Sequence, residues 1–186
     1  MTVLLILFGA SAPAFSSDTF RFGVSPGFVR AEVNDPDGNS ASKTSVEILN
    51  VVMTQAFGRD SRMLYQGYYH AFNLDAGTSD IGQHVNRNGF SFSFQSAFHV
   101  ARGWAPWGGV GLGLTEEKYK NRHTVDSGGF LATEYPDRKT TNYGVLLNAG
   151  TQWNLTRNWD AGIHVQYEQA LGDGISAAYL SFMLLY

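Results

Sequence analysis

Between residues 159 and 168 apolar and polar side chains alternate without a break. Trp159, Ala161, Ile163, Val165 and Tyr167 take the odd positions, and Asp160, Gly162, His164, Gln166 and Glu168 the even ones. Successive side chains of a β-strand point to opposite faces, so the segment predicts a strand with one apolar face and one polar or small face. The pattern returns at Gly89–Ala101, where Phe90, Phe92, Phe94, Phe98 and Val100 oppose Ser91, Ser93, Gln95 and His99. It returns again at Tyr143–Trp153, and at Ile175–Tyr186 with Ala178, Leu180, Phe182, Leu184 and Tyr186 on one face. Less regular strands over Thr19–Val33, Thr44–Phe57, Arg62–Leu74 and Trp104–Tyr119 bring the count to eight. Helical periodicity is nearly absent after residue 15, which predicts an all-β chain.

The connections alternate in length. Long polar stretches fall at Asn34–Lys43, Asp75–Asn88 and Lys120–Thr141, and tight turns at Gly58–Ser61, Arg102-Gly103 and Asn154–Asn158. Only Leu171-Gly172-Asp173-Gly174 is short where a long loop would continue the alternation. In an up-and-down barrel alternate connections lie at opposite ends, so this order gathers the long loops at one rim and the tight turns at the other. Phe57, Trp104, Trp107, Trp153 and Trp159 flank the tight turns, where an interfacial aromatic girdle would stand. Tyr143 and Tyr167 lie on the apolar parity toward the other rim.

A soluble barrel needs an apolar interior and a wet exterior, and a membrane barrel inverts the two. The polar parity carries Arg21, Glu47, Gln66, His70, Gln95, His99, Asn148, Gln152, His164, Gln166 and Glu168, with Ser and Gly between them. Lysine, the commonest marker of a solvated exterior, is absent from these positions, which fits a closed polar lumen. The interior of an eight-stranded barrel is only as wide as its own side chains. Glycines on the polar parity, among them Gly23, Gly109, Gly111, Gly113, Gly144, Gly150 and Gly162, relieve the crowding. The expected fold is therefore an eight-stranded antiparallel up-and-down transmembrane β-barrel.

The run Val3–Phe8, extended by small residues to Ala14, is too short for a membrane-crossing helix, which needs about 20 residues. With Ala12-Pro13-Ala14 as a small-x-small cleavage site it reads as a secretory signal over 1–14, leaving 15–186 as one barrel domain. No Lys or Arg precedes it. The chain has no cysteine, which excludes disulfides, thiolate metal sites and thiol nucleophiles. Its formal charge of −3 and lack of a basic run argue against a nucleic-acid partner.

Three features together resemble the small eight-stranded outer-membrane β-barrels of Gram-negative bacteria, the OmpA-like and opacity-type porin families. They are the signal-like Val3–Ala14, the Gly-rich strand Trp107-Gly108-Gly109-Val110-Gly111-Leu112-Gly113-Leu114, and the terminal Ala178–Tyr186. The resemblance implies an outer-membrane location among lipid and lipopolysaccharide, and an extracellular ligand for the loops. It also makes Phe182, Leu184 and the terminal Tyr186 a signal for the outer-membrane assembly machinery. The terminal residue departs from that pattern, in which Phe is commoner.

The polar residues leave chemistry to weigh. Lipid A deacylases are similar in size and carry a His-x-Ser-Asn motif on their second-last strand; here His164-Val165-Gln166 has Gln166 where the nucleophilic Ser would stand. His70, His99 and His164 with Glu47 or Glu168 are of the types that hold a metal or form an acid–base pair. A hydrogen-bonded interior network accounts for them more simply, with Arg21 and Glu47 as an ion pair on adjacent strands. Glu116-Glu117 and Asp35/Asp37 are carboxylate pairs of the kind that bind a divalent cation. The sequence thus predicts a non-enzymatic barrel without a cofactor, acting in adhesion or envelope integrity through its loops. A narrow solute conduit is the alternative, and a lipid A-modifying enzyme the third.

Overall fold

The computed structural model describes residues 20–33, 41–47, 49–57, 60–98 and 106–186, with Glu47 and Leu49 as backbone only. The candidate signal, His99 and Trp104 lie outside these residues. In chain order the strands are β1 (Phe20–Val24), β2 (Gly27–Val33), β3 (Ala41–Glu47), β4 (Leu49–Ala56), β5 (Ser61–Leu74), β6 (Gly82–Ala97), β7 (Trp107–Val125), β8 (Leu131–Glu134), β9 (Arg138–Asn154), β10 (Asp160–Ala170) and β11 (Ser176–Leu185). Segments β1 and β2 form one stave of the barrel, and β3 and β4 the next. These two with β5, β6, β7, β9, β10 and β11 make eight antiparallel staves, and β8 is a short arm on β7. The first stave closes the barrel, because β1 and β2 pair with β11 on one side and with β4 and β3 on the other. Closure removes the unpaired edge that a bilayer would not tolerate.

The alternation of the sequence becomes two faces of a wall. On β10, His164, Gln166 and Glu168 are buried inside, while Ile163, Val165 and Tyr167 are exposed outside. Phe90, Phe92, Phe94, Val110, Leu112, Leu114, Val145, Leu147, Leu180, Phe182 and Leu184 continue an exposed apolar band around the staves. Among the described residues the interior buries 23 polar or charged side chains beside 18 apolar ones while the large apolar side chains of the staves stand exposed, so the hydrophobic band faces out and the hydrophilic parity in. Phe22, Tyr186 and the turn between β9 and β10 lie at one rim, and the β7–β8–β9 arm stands at the other. Short turns are periplasmic and long ones extracellular in barrels of this type.

Two differences from the sequence reading have physical causes. Half of 75–88 and most of 120–141, both read as loops, are strand: β6 begins at Gly82, β7 runs to Val125 and β9 starts at Arg138. Above the apolar band the outward face turns polar while the inward face mixes charged residues such as Arg87 and Glu117 with apolar Val85 and Tyr119, so the period-2 signal fades although the hydrogen-bond ladder continues. The second stave also carries a bulge. Val24 stands opposite Val51 but Gly27 opposite Glu47, so β3–β4 advances four residues while β1–β2 advances three. Inward positions change from odd (Ala41, Lys43, Ser45) to even (Asn50, Val52, Thr54) across it, as an inserted residue requires.

Candidate functional site

The inward parity of β6 places Arg87 directly across from Glu117 of β7, and Glu168 of β10 reaches them across the lumen. Arg87 Nη2 lies 2.9 Å from Glu168 Oε1, and Nε 3.4 Å from Glu117 Oε1. One guanidinium thus serves two carboxylates, all three fully buried. Neutral donors share the excess negative charge. Tyr68 and Tyr179 hydroxyls donate to Glu168 Oε2 at 2.8 and 3.2 Å, Tyr119 and Asn142 donate to Glu117 Oε2 at 2.8 and 2.9 Å, and the Ile175 N–H donates to Oε1 at 3.0 Å. Arg87 also donates to the Tyr179 hydroxyl and, at 3.2 Å, to the Ile175 carbonyl. His70 stacks on Tyr68 at 4.9 Å between centroids and lies 5.4 Å from Tyr179. The Glu168 carboxylate occupies space that Gly113 and Gly144 leave open: a Cβ at either would stand 3.0 or 2.9 Å from Oε1.

One inward step toward the extracellular rim the character changes. Val85 and Tyr119 join Ala31, Val33, Phe72, Leu74 and Ile175 in an apolar cluster that caps the charged layer. At the periplasmic end a second arginine organises the lumen. Arg62 donates to Gln95 at 2.7 Å and Gln152 at 2.5 Å, with its guanidinium 4.3 Å from the Trp107 ring centre. Gln152 and Asn154 in turn donate to Asp160 at 2.8 and 2.6 Å. Between the two layers, both ring nitrogens of His164, Gln166 Oε1, Ser93 Oγ and Asn148 Nδ2 are buried without a hydrogen-bond partner.

The proposed lumen residues therefore divide. Glu168 joins Arg87 and Glu117, with His70 stacked beside it, whereas His164 lies two inward positions lower on β10 with Gln166 next to it. Arg21 does not face Glu47: it stands opposite Thr54, while Glu47 stands opposite Gly27 near mid-stave. Arg21 instead lies 3.9 Å from Asp160 and donates to the Asn158 carbonyl at 3.0 Å. The bulge and the break between β1 and β2 displace the two positions along the barrel. Phe57, Trp153 and Trp159 are exposed at the periplasmic rim, and Trp159 packs on Tyr186 with centroids 5.1 Å apart. Trp107 falls on the inward parity of β7 beneath Arg62, so it belongs to the mouth of the lumen. Glu116 and Glu117 point to opposite faces and form no joint site. Sequence reading misses Arg87, Arg62 and Tyr68 and gives Glu117 only as half of a carboxylate pair; extending the parity of Phe90–Phe94 two positions beyond Gly89 turns Arg87 inward.

Outside, the register of β6, β7 and β9 builds rows. Phe90, Leu114 and Tyr143 end the apolar band; Asn88, Glu116 and Thr141 form the next row, and Asn86, Lys118 and Lys139 the one above. Glu116 lies 2.7 Å from Lys118 Nζ and 2.6 Å from Lys139 Nζ. Hydrogen bonds from these two ammonium groups hold its carboxyl, above the apolar band, below the ordinary carboxylate range. At the extracellular end the β7–β8 hairpin turns at Asp126, whose carboxylate accepts the N–H groups of Gly128 and Phe130 at 2.8 and 2.9 Å. Gly129, at φ +81, supplies the left-handed residue of this turn. Beside it Arg122, His123, Leu131, Glu134, Tyr135 and Asp137 line an open pocket of about 440 Å³.

No protein-family model and no curated sequence matches the chain. Solved structures share its fold. Neisserial surface protein A is 18% identical with a TM-score of 0.56, over 91% of this chain and 96% of its own. OprG, an outer membrane protein of Pseudomonas aeruginosa, is 12% identical at 0.54, over 90% and 94%. Ail, the attachment invasion locus protein of Yersinia pestis, is 13% identical at 0.52, over 90% and 98%. The architecture is that of the small Gram-negative outer-membrane barrels.

Proposed function

We propose that this chain is an integral outer-membrane barrel that acts by contact at the cell surface, presenting the β7–β8–β9 arm on a rigid, filled scaffold. The observation that carries the reading is the Arg87–Glu117–Glu168 layer under its apolar cap: a lumen crossed by fully buried side chains supports a wall more readily than a channel. The arm supplies the contact surface. Its tip, fixed by the Asp126 carboxylate, exposes Phe130 at 74% and Leu131 at 58% to water, where apolar side chains gain only by meeting a partner. Loops on a rigid framework commonly carry binding. Ail, with the same fold, is an attachment protein crystallised with the heparin analogue sucrose octasulfate, which agrees with a surface role.

Cells displaying the chain and cells displaying a variant with Phe130→Ser and Leu131→Ser would be compared for adherence to host matrix and to one another. The reading expects adherence to fall at least about tenfold with surface display unchanged; equal adherence would refute the arm's role. A conduit is the second reading, favoured by the unpartnered His164, Gln166, Ser93 and Asn148 atoms between the arginine layers. Stable single-channel openings in a planar bilayer would support it, and a silent bilayer supports the filled wall.

A further inference from the structure

Above Gly144 the wall ends in an open edge. β10 pairs β9 no further than Gly144, with one more backbone bond from the Leu171 N–H to the Tyr143 carbonyl, and β8 pairs β7 alone. Among the described residues, the side of β8 and β9 away from β7 therefore carries no ladder between Leu131 and Asn142. We infer that this edge pairs, antiparallel and about a two-fold axis, with the same edge of a second copy of the chain held in a facing membrane. The inference rests on the reading of the arm as a contact surface and names its partner.

Two bonds show which backbone groups face the open side. The Tyr143 carbonyl points toward β10, so by strand alternation Thr141 and Lys139 present their N–H and C=O groups there as well. The Tyr135 N–H points to the Arg122 carbonyl of β7, so Glu134 and Ala132 present theirs to the open side. The phase changes at Pro136 and Asp137, where the ladder is broken: Asn121 takes φ +54 and its N–H goes to the Asp137 carboxylate at 3.2 Å. A dyad between Pro136 and Asp137 sets the open positions of one copy against those of the other, Glu134 opposite Lys139 and Ala132 opposite Thr141. Pro136, which has no N–H, then stands where no ladder bond is needed.

The side chains suit that register. His123 alternates with the buried Arg122 and Thr124, so its partner Glu134 shares the outward face with Lys139. Carboxylate meets ammonium twice, once on each side of the dyad. On the inward face Tyr135 meets Arg138, ring against guanidinium, and Thr133 meets Thr140. Opposite charges and facing threonines are pairs that stabilise antiparallel strands. Lysine and proline on an edge discourage indiscriminate strand addition; this register sets the lysine against a carboxylate and the proline at a break.

Antiparallel pairing inverts the second barrel, so the two copies belong to two membranes. From Tyr143 to the dyad is about 21 Å along the strand, or about 16 Å along the bilayer normal at a tilt of about 40°. Two facing apolar bands then stand about 33 Å apart, with room for a headgroup layer on each. Phe130 and Leu131 fall toward the Tyr143 end of the partner's band, which gives the exposed tip an apolar surface to meet.

The full chain would be reconstituted into phosphatidylcholine vesicles of two colours, and clustering between colours read by light scattering and two-colour fluorescence. Wild-type vesicles cluster. Vesicles carrying only Glu134→Lys, or only Lys139→Glu, cluster roughly tenfold less, because like charges then face each other twice. Mixing the two variant populations restores clustering, since each supplies the charge the other lacks. The chain has no cysteine, so a Thr133→Cys, Thr140→Cys variant gives, on oxidation of clustered vesicles, a disulfide-linked dimer. Single variants that cluster like wild type, a mixture no better than either variant alone, or a missing dimer band overturns the self-pairing. Heat-modifiable mobility confirms that every variant is folded. Wild-type vesicles that stay dispersed, while displaying cells still need Phe130 and Leu131 to adhere to host matrix, refute the self-pairing alone. Adherence unchanged by Phe130→Ser and Leu131→Ser refutes the arm as the host contact, whatever the vesicles do.

Discussion

Arg87 Nη2 and Glu168 Oε1 lie 2.9 Å apart in the middle of the lumen, each side chain about 1% exposed. Burial at that level turns the ion pair from a surface ornament into a constraint. A desolvated charge left without its partner costs far more than the pair gains.

Arg87→Met is therefore expected to destabilise the barrel by about 3–5 kcal/mol, since Glu117 and Glu168 would face each other without their cation. Adding Glu117→Gln and Glu168→Gln in the same chain should recover much of that loss. Urea unfolding in micelles, followed by heat-modifiable mobility, measures both; a single-variant cost below about 1 kcal/mol would show that the layer is hydrated.

The two parities of β10 should respond oppositely to substitution. Val165→Arg, on the exposed apolar face, is expected to cost about 2–4 kcal/mol if it lies near the bilayer midplane. Gln166→Ala, on the buried face, removes a carbonyl that already has no partner and should cost less than about 1.5 kcal/mol. Equal tolerance would contradict the outward assignment of the apolar face.

Gly89 and Tyr68 stand directly across from each other, and the tyrosine ring folds over the glycine so closely that a Cβ there would overlap the ring. Gly89→Val should displace the ring, break the Tyr68–Glu168 hydrogen bond and cost about 1–3 kcal/mol. In a Tyr68→Ala background the same substitution should cost little, because the obstacle is gone. Additive costs in the urea titrations would mean that the two residues are uncoupled.

Tyr186 tests assembly separately from stability. Its N–H donates to the Phe22 carbonyl at 2.7 Å and its ring packs on Trp159. Tyr186→Ala keeps the backbone bonds, so refolding into micelles should weaken by only about 0.5–1.5 kcal/mol. Insertion in cells should fall much further if Phe182, Leu184 and Tyr186 are read by the assembly machinery. Parallel losses in micelles and cells would make Tyr186 a packing residue and nothing more.

How much was legible varied with how strongly lipid and lumen differed at each position. On β10, or along Phe90–Phe94, one face meets hydrocarbon and the other a polar interior, so the strand and its orientation stand in the residues themselves. On Thr44–Phe57 the pattern is blurred because the bulge reverses parity in mid-stave, and no local residue type announces it. Above Leu114 and Tyr143 the outward face turns polar and the inward face mixes charged with apolar side chains, so strands there read as loops. Trp107 misled for a related reason: a Trp beside a tight turn suits a girdle, yet its parity puts it under Arg62.

By itself the sequence determined the all-β class, the eight staves, the two rims and the side of the wall that is apolar, because a period of two responds directly to the solvents on either face. The tertiary structure decided which buried charges meet. Arg87 finds Glu168 from a stave three places away, and Arg21 finds Asp160 instead of Glu47, because those partners are set by the stagger of a closed barrel. That stagger is a property of all the hydrogen-bond registers taken together, and no stretch of local sequence contains it.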